Sequence, residues 1–154
     1  MDLEELYQQV ILDHSKRPRN FGELPGATAS AHGDNPSCGD EITLQIKIGE
    51  GDVIEEIKFT GQGCAISQSS ASMMTLKVKK KTRAEAMQMQ SQFHDMLVCP
   101  DCPPLPASVF GDLKLLEGVK KFPQRVKCAT LAWQALKQVL TDPASETTTE
   151  DDSL

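Results

Sequence analysis

The sequence predicts one domain in which a β hairpin is combined with several helices. Apolar and polar side chains alternate over residues 42–48, and the returning strand of a hairpin is predicted over residues 53–60, after a turn that contains two glycines. Much of the remaining chain carries apolar residues at the helical period. The chain has 154 residues, of which 39% are hydrophobic and 25% charged, and such values are ordinary for a single globular domain.

A helix is predicted before the hairpin, over residues 2–15. Apolar side chains recur there at i, i+3, i+4, i+7 and i+8, which places them on one face, and Pro18 ends the pattern. The segment 21–33 is expected to be a loop, with a weak strand over residues 27–31.

More helices are predicted after the hairpin. Residues 65–79 are rich in Ala, Ser and Met, and their small side chains suit a helix packed close to a sheet. Thr82 and Glu85 have the spacing of a capping box, which predicts the start of another helix. A short helical piece and a last helix that begins near Pro123 complete the predicted fold.

Charge is concentrated at the end of the chain. The formal charge is −6, and residues 142–154 account for five of the negative charges without a single lysine or arginine. We therefore predict a folded domain over residues 1–141 and a disordered acidic tail over 142–154. Because the folded part is nearly neutral, its charge gives no reason to expect a nucleic-acid partner.

The protein is expected to be located in the cytoplasm. No apolar run approaches the length of a membrane span, so no membrane partner is expected, and the acidic amphipathic N-terminus does not resemble a secretory signal. The chain has five cysteines, an odd number. Free or metal-bound thiols are therefore expected rather than a framework of disulfides.

The loop of residues 35–40, with the sequence NPSCGD, places a thiol and a carboxylate close together before a predicted strand. Cys38 and Asp40 could be two ligands of a metal, or a nucleophile beside its proton acceptor. A polar turn with an incidental thiol is the simpler interpretation of these six residues alone.

Two further cysteines lie in positions that favour the thiolate. Cys64 follows two glycines at the predicted start of a helix, and Cys128 lies near the start of the last helix beside Arg125 and Lys127. Helix N-termini and neighbouring cations lower the pKa of a thiol. If these cysteines meet the loop cysteine and aspartate, the donors form an S3O set suited to tetrahedral zinc. Their wide spacing matches no local metal motif, so the spacing leaves this convergence open.

The remaining two cysteines form the motif Cys99-x-x-Cys102 in a segment dense in proline. We favour an incidental pair here, ahead of a reversible disulfide and of a second metal site. A second C-x-x-C motif, which would complete a zinc knuckle, does not occur in the sequence.

Separated blocks of this sequence resemble the U-type iron–sulfur cluster assembly proteins, the IscU/SufU family, and in particular its SufU branch. The likeness runs from residue 6 to about residue 140. The blocks are residues 35–40 (NPSCGD), 61–67 (GQGCAIS), 70–74 (SASMM) and 122–133 (FPQRVKCATLAW). The resemblance implies an α+β fold with a small antiparallel sheet of about three strands packed against helices.

The resemblance also implies a metal site and a reaction. The implied zinc ligands are Cys38, Asp40, Cys64 and Cys128. Cys38 would accept sulfur from the persulfide of a cysteine desulfurase of the SufS type, after a ligand from the partner, a histidine, replaces it on the metal. Arg125 and Lys127 are expected to steady the anionic sulfur or the docked partner.

Two features separate the branches of this family. IscU-type scaffolds carry histidine directly before the last cysteine, where this chain has Lys127, and the long segment 103–122 also favours SufU. Two alternatives remain open. One is a scaffold on which a transient Fe–S cluster is built and then passed to other proteins, and the other is a binding module whose zinc is purely structural. Downstream Fe–S scaffold proteins are further candidate partners.

Overall fold

The computed structural model describes residues 2–99, 101–103, 105–141 and 146–148. Its described residues form an α+β fold, as predicted. The helices are α1 (Leu3–Lys16), α2 (Ala65–Val78), α3 (Arg83–Val98), α4 (Ala107–Phe110) and α5 (Pro123–Thr141), with a 3-10 segment over Gly111–Lys121. The strands are β1 (Ala29–Asn35), β2 (Asp40–Ile48), β3 (Ile54–Gln62) and β4 (Glu146–Thr148).

The sheet has the strand order β3-β2-β1-β4. Strands β2 and β3 form the predicted antiparallel hairpin, with Leu44 opposite Phe59. Strand β1 pairs antiparallel with β2, and it is longer than the weak strand predicted for residues 27–31. Few residues of β1 favour strands, and they adopt this conformation because pairing with β2 satisfies their backbone groups.

The fourth strand lies in the segment 142–154, which the sequence predicts to be disordered. Glu146–Thr148 pairs parallel with β1 at the edge of the sheet. The other residues of that segment lie outside the described residues. The predicted boundary between a folded domain over residues 1–141 and a disordered tail therefore stays a prediction.

Side chains cap the first turns of α1 and α3. The Asp2 carboxylate accepts a hydrogen bond of 2.8 Å from the backbone N–H of Glu5 at the start of α1. At the start of α3 the Thr82 hydroxyl accepts from the Glu85 N–H (3.1 Å), and the Glu85 carboxylate accepts from the Thr82 N–H (3.0 Å). The predicted capping box is confirmed, and it satisfies two backbone donors that the first turn leaves open.

Helix α5 lies at the centre of the fold and packs against the sheet, α2 and α3. Trp133 is fully buried; its ring stacks on Phe93 of α3 at 4.5 Å, and its N–H donates to Ser70 Oγ of α2. Ser70 Oγ in turn donates to the backbone carbonyl of Ala129 at 2.6 Å. The small residues of α2 thus allow close packing against α5, whereas the sequence analysis expected them to serve packing against the sheet.

None of the helices in the described part of the chain combines the length and the apolar character needed to cross a membrane.

Candidate metal centre

The β1–β2 connection places one thiol outside the core and one carboxylate inside it. Asn35 and Asp40 are opposite each other as the last pair of the β1–β2 ladder, and the chain between them turns with Cys38 N–H donating to the Asn35 carbonyl at 3.2 Å. Cys38 is exposed near the tip of this turn, whereas Asp40 is only 1% exposed. The two neighbours of the sequence motif therefore experience different environments.

The other two sulfurs come from helices. Cys64 is the N-cap residue of α2, and its Sγ accepts a hydrogen bond of 3.5 Å from the Ser67 N–H. Cys128 lies in the second turn of α5 and is 2% exposed. Because α2 and α5 pack together, the two helices bring these cysteines to one end of the sheet.

The structure brings all four predicted ligands together. The ligand atoms of Cys38, Asp40 and Cys128 all lie within 4.8 Å of one another. Cys64 joins them through Asp40, whose Oδ2 lies 3.9 Å from Cys64 Sγ and whose Oδ1 accepts from the Cys64 N–H at 2.8 Å. We call these four residues the cysteine cluster.

Electrostatics within the cysteine cluster favour a thiolate. The hydrogen bond from the Cys128 thiol to the Cys64 sulfur is the main cause that lowers the pKa of Cys64 to about 7 and raises the pKa of Cys128. The N–H of Ser67 at the start of α2 also lowers the pKa of Cys64. Three cysteine sulfurs and one carboxylate grouped in this way form a donor set that fits Zn²⁺.

Asn35 supports the cysteine cluster, and the sequence analysis assigned it no role. Its buried side-chain amide donates to Asp40 Oδ2 at 3.1 Å and to Cys128 Sγ at 3.4 Å. One amide therefore orients two of the predicted ligands, as outer partners do at metal sites. The sequence does contain a signal for this role. A buried carboxylate such as that of Asp40 needs a hydrogen-bond donor, and Asn35 is a donor at the start of the same 35–40 motif.

Gly63 is the second residue whose role only the structure shows. Its φ is +152°, and a Cβ added there would overlap Asp40 Oδ1 and lie 2.9 Å from Asp40 Cα. A side chain at this position would push Asp40 away from the sulfurs. Glycine is therefore required for the chain to pass the carboxylate on its way into α2.

The two predicted supporting cations lie at the start of α5. The exposed guanidinium of Arg125 lies over the ring of Phe122, 4.9 Å from its centroid. Lys127 is half-buried and directly precedes Cys128. Their role in sulfur chemistry stays a prediction.

Cys99 and Cys102 do not belong to the cysteine cluster. A disulfide joins them, with their Cα atoms 5.6 Å apart, whereas Cys38, Cys64 and Cys128 are free thiols. The disulfide corresponds to the second of the three interpretations of this motif, not to the incidental pair that the sequence analysis favoured.

Comparisons with known proteins identify the family of this chain. The family profile of the NifU-like N terminal domain matches residues 6–142. The chain is 45% identical over 137 residues to the zinc-dependent sulfurtransferase SufU of Bacillus subtilis (strain 168), covering 89% of this chain and 90% of that protein. It is 46% identical over 138 residues to the iron–sulfur cluster assembly scaffold protein IscU of Streptococcus pyogenes serotype M1, covering 90% of this chain and 84% of that protein.

A solved structure shows the same fold. It is that of FiSufU from Fervidobacterium islandicum AW-1, assigned as an iron–sulfur cluster assembly scaffold protein for the SUF system. The TM-score is 0.80 and the identity 36%, over 90% of this chain and 98% of that one. The chain thus belongs to the family of the NifU-like N-terminal domain, together with the SufU and IscU proteins.

Proposed function

We propose that this protein accepts sulfur from a cysteine desulfurase for iron–sulfur cluster assembly, with Cys38 as the acceptor and zinc as the resident metal. The observation that carries the proposal is the arrangement of the cysteine cluster, in which Cys38 is exposed, Cys64 is half-buried, and Asp40 and Cys128 are buried. The similarity to a SufU named a zinc-dependent sulfurtransferase supports the same function.

Zinc would be held by Cys38, Asp40, Cys64 and Cys128. When bound, it stabilises thiolates at neutral pH and protects them from adventitious oxidation. The lowered pKa of Cys64 supports this assignment, because metal binding requires deprotonated sulfur.

Cys38 performs the transfer through ordinary thiol exchange. Its Sγ attacks the terminal sulfur of the persulfide on the desulfurase; a new S–S bond forms on Cys38, and the S–S bond on the partner breaks. The partner's cysteine leaves as a thiolate, so the transfer requires no external oxidant or reductant. An exposed position near the tip of the β1–β2 turn gives Cys38 the access that this in-line attack needs.

The other residues of the cysteine cluster have a holding role. Asp40 accepts hydrogen bonds from the Asn35 amide and the Cys64 N–H, which fix both of its oxygens while Cys38 carries sulfur. Arg125 and Lys127, near the start of α5, provide positive charge for an anionic sulfur or for an approaching partner. Both cations act as supporting residues in this proposal, not as acceptors.

We propose a desulfurase of the SufS type as the partner and the cytoplasm as the location. Three free thiols in one cluster suit a reducing compartment. Downstream Fe–S scaffold proteins are candidate recipients of the sulfur.

A second function, assembly of an Fe–S cluster on the same residues, is favoured by the 46% identity to an IscU scaffold protein. Thiolates from three cysteines are suitable ligands for such a cluster. Anaerobic reconstitution with iron and sulfide, followed by absorption and Mössbauer spectroscopy, discriminates the two functions. A stable cluster in near-stoichiometric amount favours the scaffold, and its absence with zinc retained favours the sulfur acceptor.

Metal analysis of the purified protein tests the proposed site. We expect about one zinc per chain in the wild type and a large loss in Cys64→Ser, because the donor set loses a sulfur. Cys99→Ser/Cys102→Ser is the matched control, since it also replaces cysteines but should keep its zinc. Absence of zinc from the wild type, or full zinc in Cys64→Ser, would contradict the proposal.

A further inference from the structure

We propose that Asn35 directs the sulfur chemistry to Cys38, because its side-chain amide stabilises the negative charge of two other ligands, Asp40 and Cys128. In this inference, hydrogen bonds from N–H groups decide which donors stay on the metal and which one leaves it to accept sulfur. The inference rests on the proposed function, since it concerns the order in which the same four donors act. Asn35 is a positioning residue here and not a sulfur acceptor.

The charge of the cysteine cluster makes its N–H donors important. Three thiolates and one carboxylate carry four negative charges, of which a divalent zinc ion neutralises two. Asp40 and Cys128 are buried, so water does not stabilise the charge that remains on them. Such buried anionic atoms need N–H donors from the protein itself.

Three of the four donors have an N–H partner of this kind. The Asn35 amide donates to Asp40 Oδ2 at 3.1 Å and to Cys128 Sγ at 3.4 Å. The backbone supplies the others, since the Cys64 N–H donates to Asp40 Oδ1 at 2.8 Å and the Ser67 N–H donates to Cys64 Sγ at 3.5 Å. Asn35 is 0% exposed, so bulk water does not compete for its amide.

Cys38 differs from the other three donors. Among the residues that the structure describes, no N–H group donates to Cys38 Sγ; the backbone N–H of Cys38 is itself a donor, to the Asn35 carbonyl. An N–H group that donates to a thiolate withdraws charge from the sulfur and makes it a poorer nucleophile. The sulfur without such a donor keeps the most charge, and this favours Cys38 for attack on a persulfide.

Exposure alone does not account for the choice of Cys38. Cys64 is half-buried rather than buried, so a small electrophile can reach its sulfur as well. The N–H donors therefore add a chemical preference to the preference that access gives. Asn35 is the donor to test, because its hydrogen bonds come from a side chain, whereas the N–H groups of Cys64 and Ser67 belong to the backbone.

Methylation of the zinc-loaded full chain by iodomethane tests the inference without a desulfurase. Peptide mapping by mass spectrometry at low conversion gives an initial rate for each cysteine, and Cys38 should react fastest in the wild type. Asn35→Leu keeps a branched side chain but has no N–H donor. In this variant the rate at Cys128 should rise about three- to tenfold relative to the rate at Cys64, whose backbone donor remains.

Asn35→Ala separates the loss of the donor from a gain in access. It removes the donor and leaves a cavity beside Cys128, whereas Asn35→Leu removes the donor and fills the space. A rise at Cys128 in both variants supports the inference. A rise in Asn35→Ala alone would show that access limits the reaction of Cys128, and it would overturn the inference, as would an unchanged ratio of the two rates in both variants.

Replacement of zinc by Co²⁺ gives a readout that solvent access does not change. A thiolate that loses an N–H donor holds its electrons less tightly, so the sulfur-to-cobalt charge-transfer band should move to longer wavelength in Asn35→Leu and Asn35→Ala. Circular dichroism verifies the fold, and the band remains decisive in Asn35→Ala if Asn35→Leu does not fold. Asn20→Ala is the matched control, because the Asn20 amide donates to Thr75 Oγ1 at 3.1 Å, outside the cysteine cluster.

The outcomes separate the inference from the proposed function. An unchanged band in the folded Asn35 variants, or an equal shift in Asn20→Ala, would overturn the role of Asn35 while leaving Cys38 as the acceptor. Absence of bound metal from the wild type would instead contradict the proposed function, and the inference would fail with it.

Discussion

The two cysteine sites of this protein are built in opposite ways. The Cys99–Cys102 pair is formed by neighbours in one loop, whereas the cysteine cluster collects its donors from the β1–β2 turn, the start of α2 and the second turn of α5. Inspection of the local sequence alone would rank the C-x-x-C pair above the cluster. Compact spacing therefore does not identify a metal site, because side chains far apart in sequence can converge equally well.

The two sites also differ in how their members are exposed. In the cysteine cluster Cys38 is exposed while Asp40 and Cys128 are almost completely buried, so one residue is available for reaction and the others hold their positions. The two cysteines of the pair are both half-buried. Graded exposure suits an acceptor, because a partner can reach one donor while the buried donors keep their positions.

The largest expected effect is the loss of persulfide from a variant that lacks Cys38, because the cysteine cluster and not the Cys99–Cys102 pair should carry the sulfur. Cys38→Ser should abolish persulfide formation after incubation with desulfurase and cysteine, because a hydroxyl is a far poorer nucleophile than a thiolate at neutral pH. Trapping and peptide mapping by mass spectrometry should place the label on Cys38 in the wild type. A label on Cys64, Cys128 or Cys102 instead would show that another residue is the acceptor.

Asp40→Ala should damage the cysteine cluster while leaving its nucleophile. We expect zinc affinity to fall by more than about 100-fold, since even outer partners of a metal site typically contribute about 10–100-fold. The Asn35 amide and the Cys64 N–H lose their acceptor, which should cost about 1–3 kcal/mol of unfolding free energy.

Zinc titration with a competing chelator and the alkylation rate of Cys38 measure these effects for Asp40→Ala. The Cys38 thiol should become more reactive to alkylation. Glu41→Ala is the matched control, because it removes an exposed carboxylate from the next position of β2. Equal zinc affinity in both variants would show that Asp40 is not a ligand.

Gly63→Ala should disturb the cysteine cluster, although Gly63 is not one of its four donor residues. The new Cβ would overlap the Asp40 carboxylate, and the backbone there has a positive φ, so we expect a loss of about 1–3 kcal/mol in unfolding free energy together with reduced zinc content. Gly26→Ala is the control, since Gly26 also has a positive φ but has nothing within 4 Å of the added Cβ. Zinc loss that is equal in both variants would contradict a specific contact with Asp40.

The smallest expected effect is that of replacing Cys99 and Cys102 on the acceptance of sulfur from a desulfurase. Cys99→Ser/Cys102→Ser should stimulate a desulfurase as the wild type does, because both residues lie outside the cysteine cluster. Thermal unfolding should change little, since the disulfide encloses only a short loop. If most of the stimulation disappeared while zinc was retained, the pair would have to be placed in the acceptance step.

Local patterns in the sequence were sufficient for most helices and for the hairpin. The period of apolar residues located α1 and the strands β2 and β3 within a few residues, and the capping box located the start of α3. These signals can be read from the sequence because they depend on neighbours within one or two turns. The resemblance to the IscU/SufU family, and not the spacing, predicted that the four donors of the cysteine cluster would meet.

Only the tertiary structure decided the features that depend on distant partners. Strand β1 has a weak local preference and is ordered by pairing with β2, and Glu146–Thr148 pairs with β1 in a segment whose composition predicted disorder. The roles of Asn35 and Gly63 depend on the position of Asp40 relative to Cys64 and Cys128. Such contacts link residues far apart in the chain, and no local pattern records them, because each side chain meets its partner only after the helices have packed on the sheet.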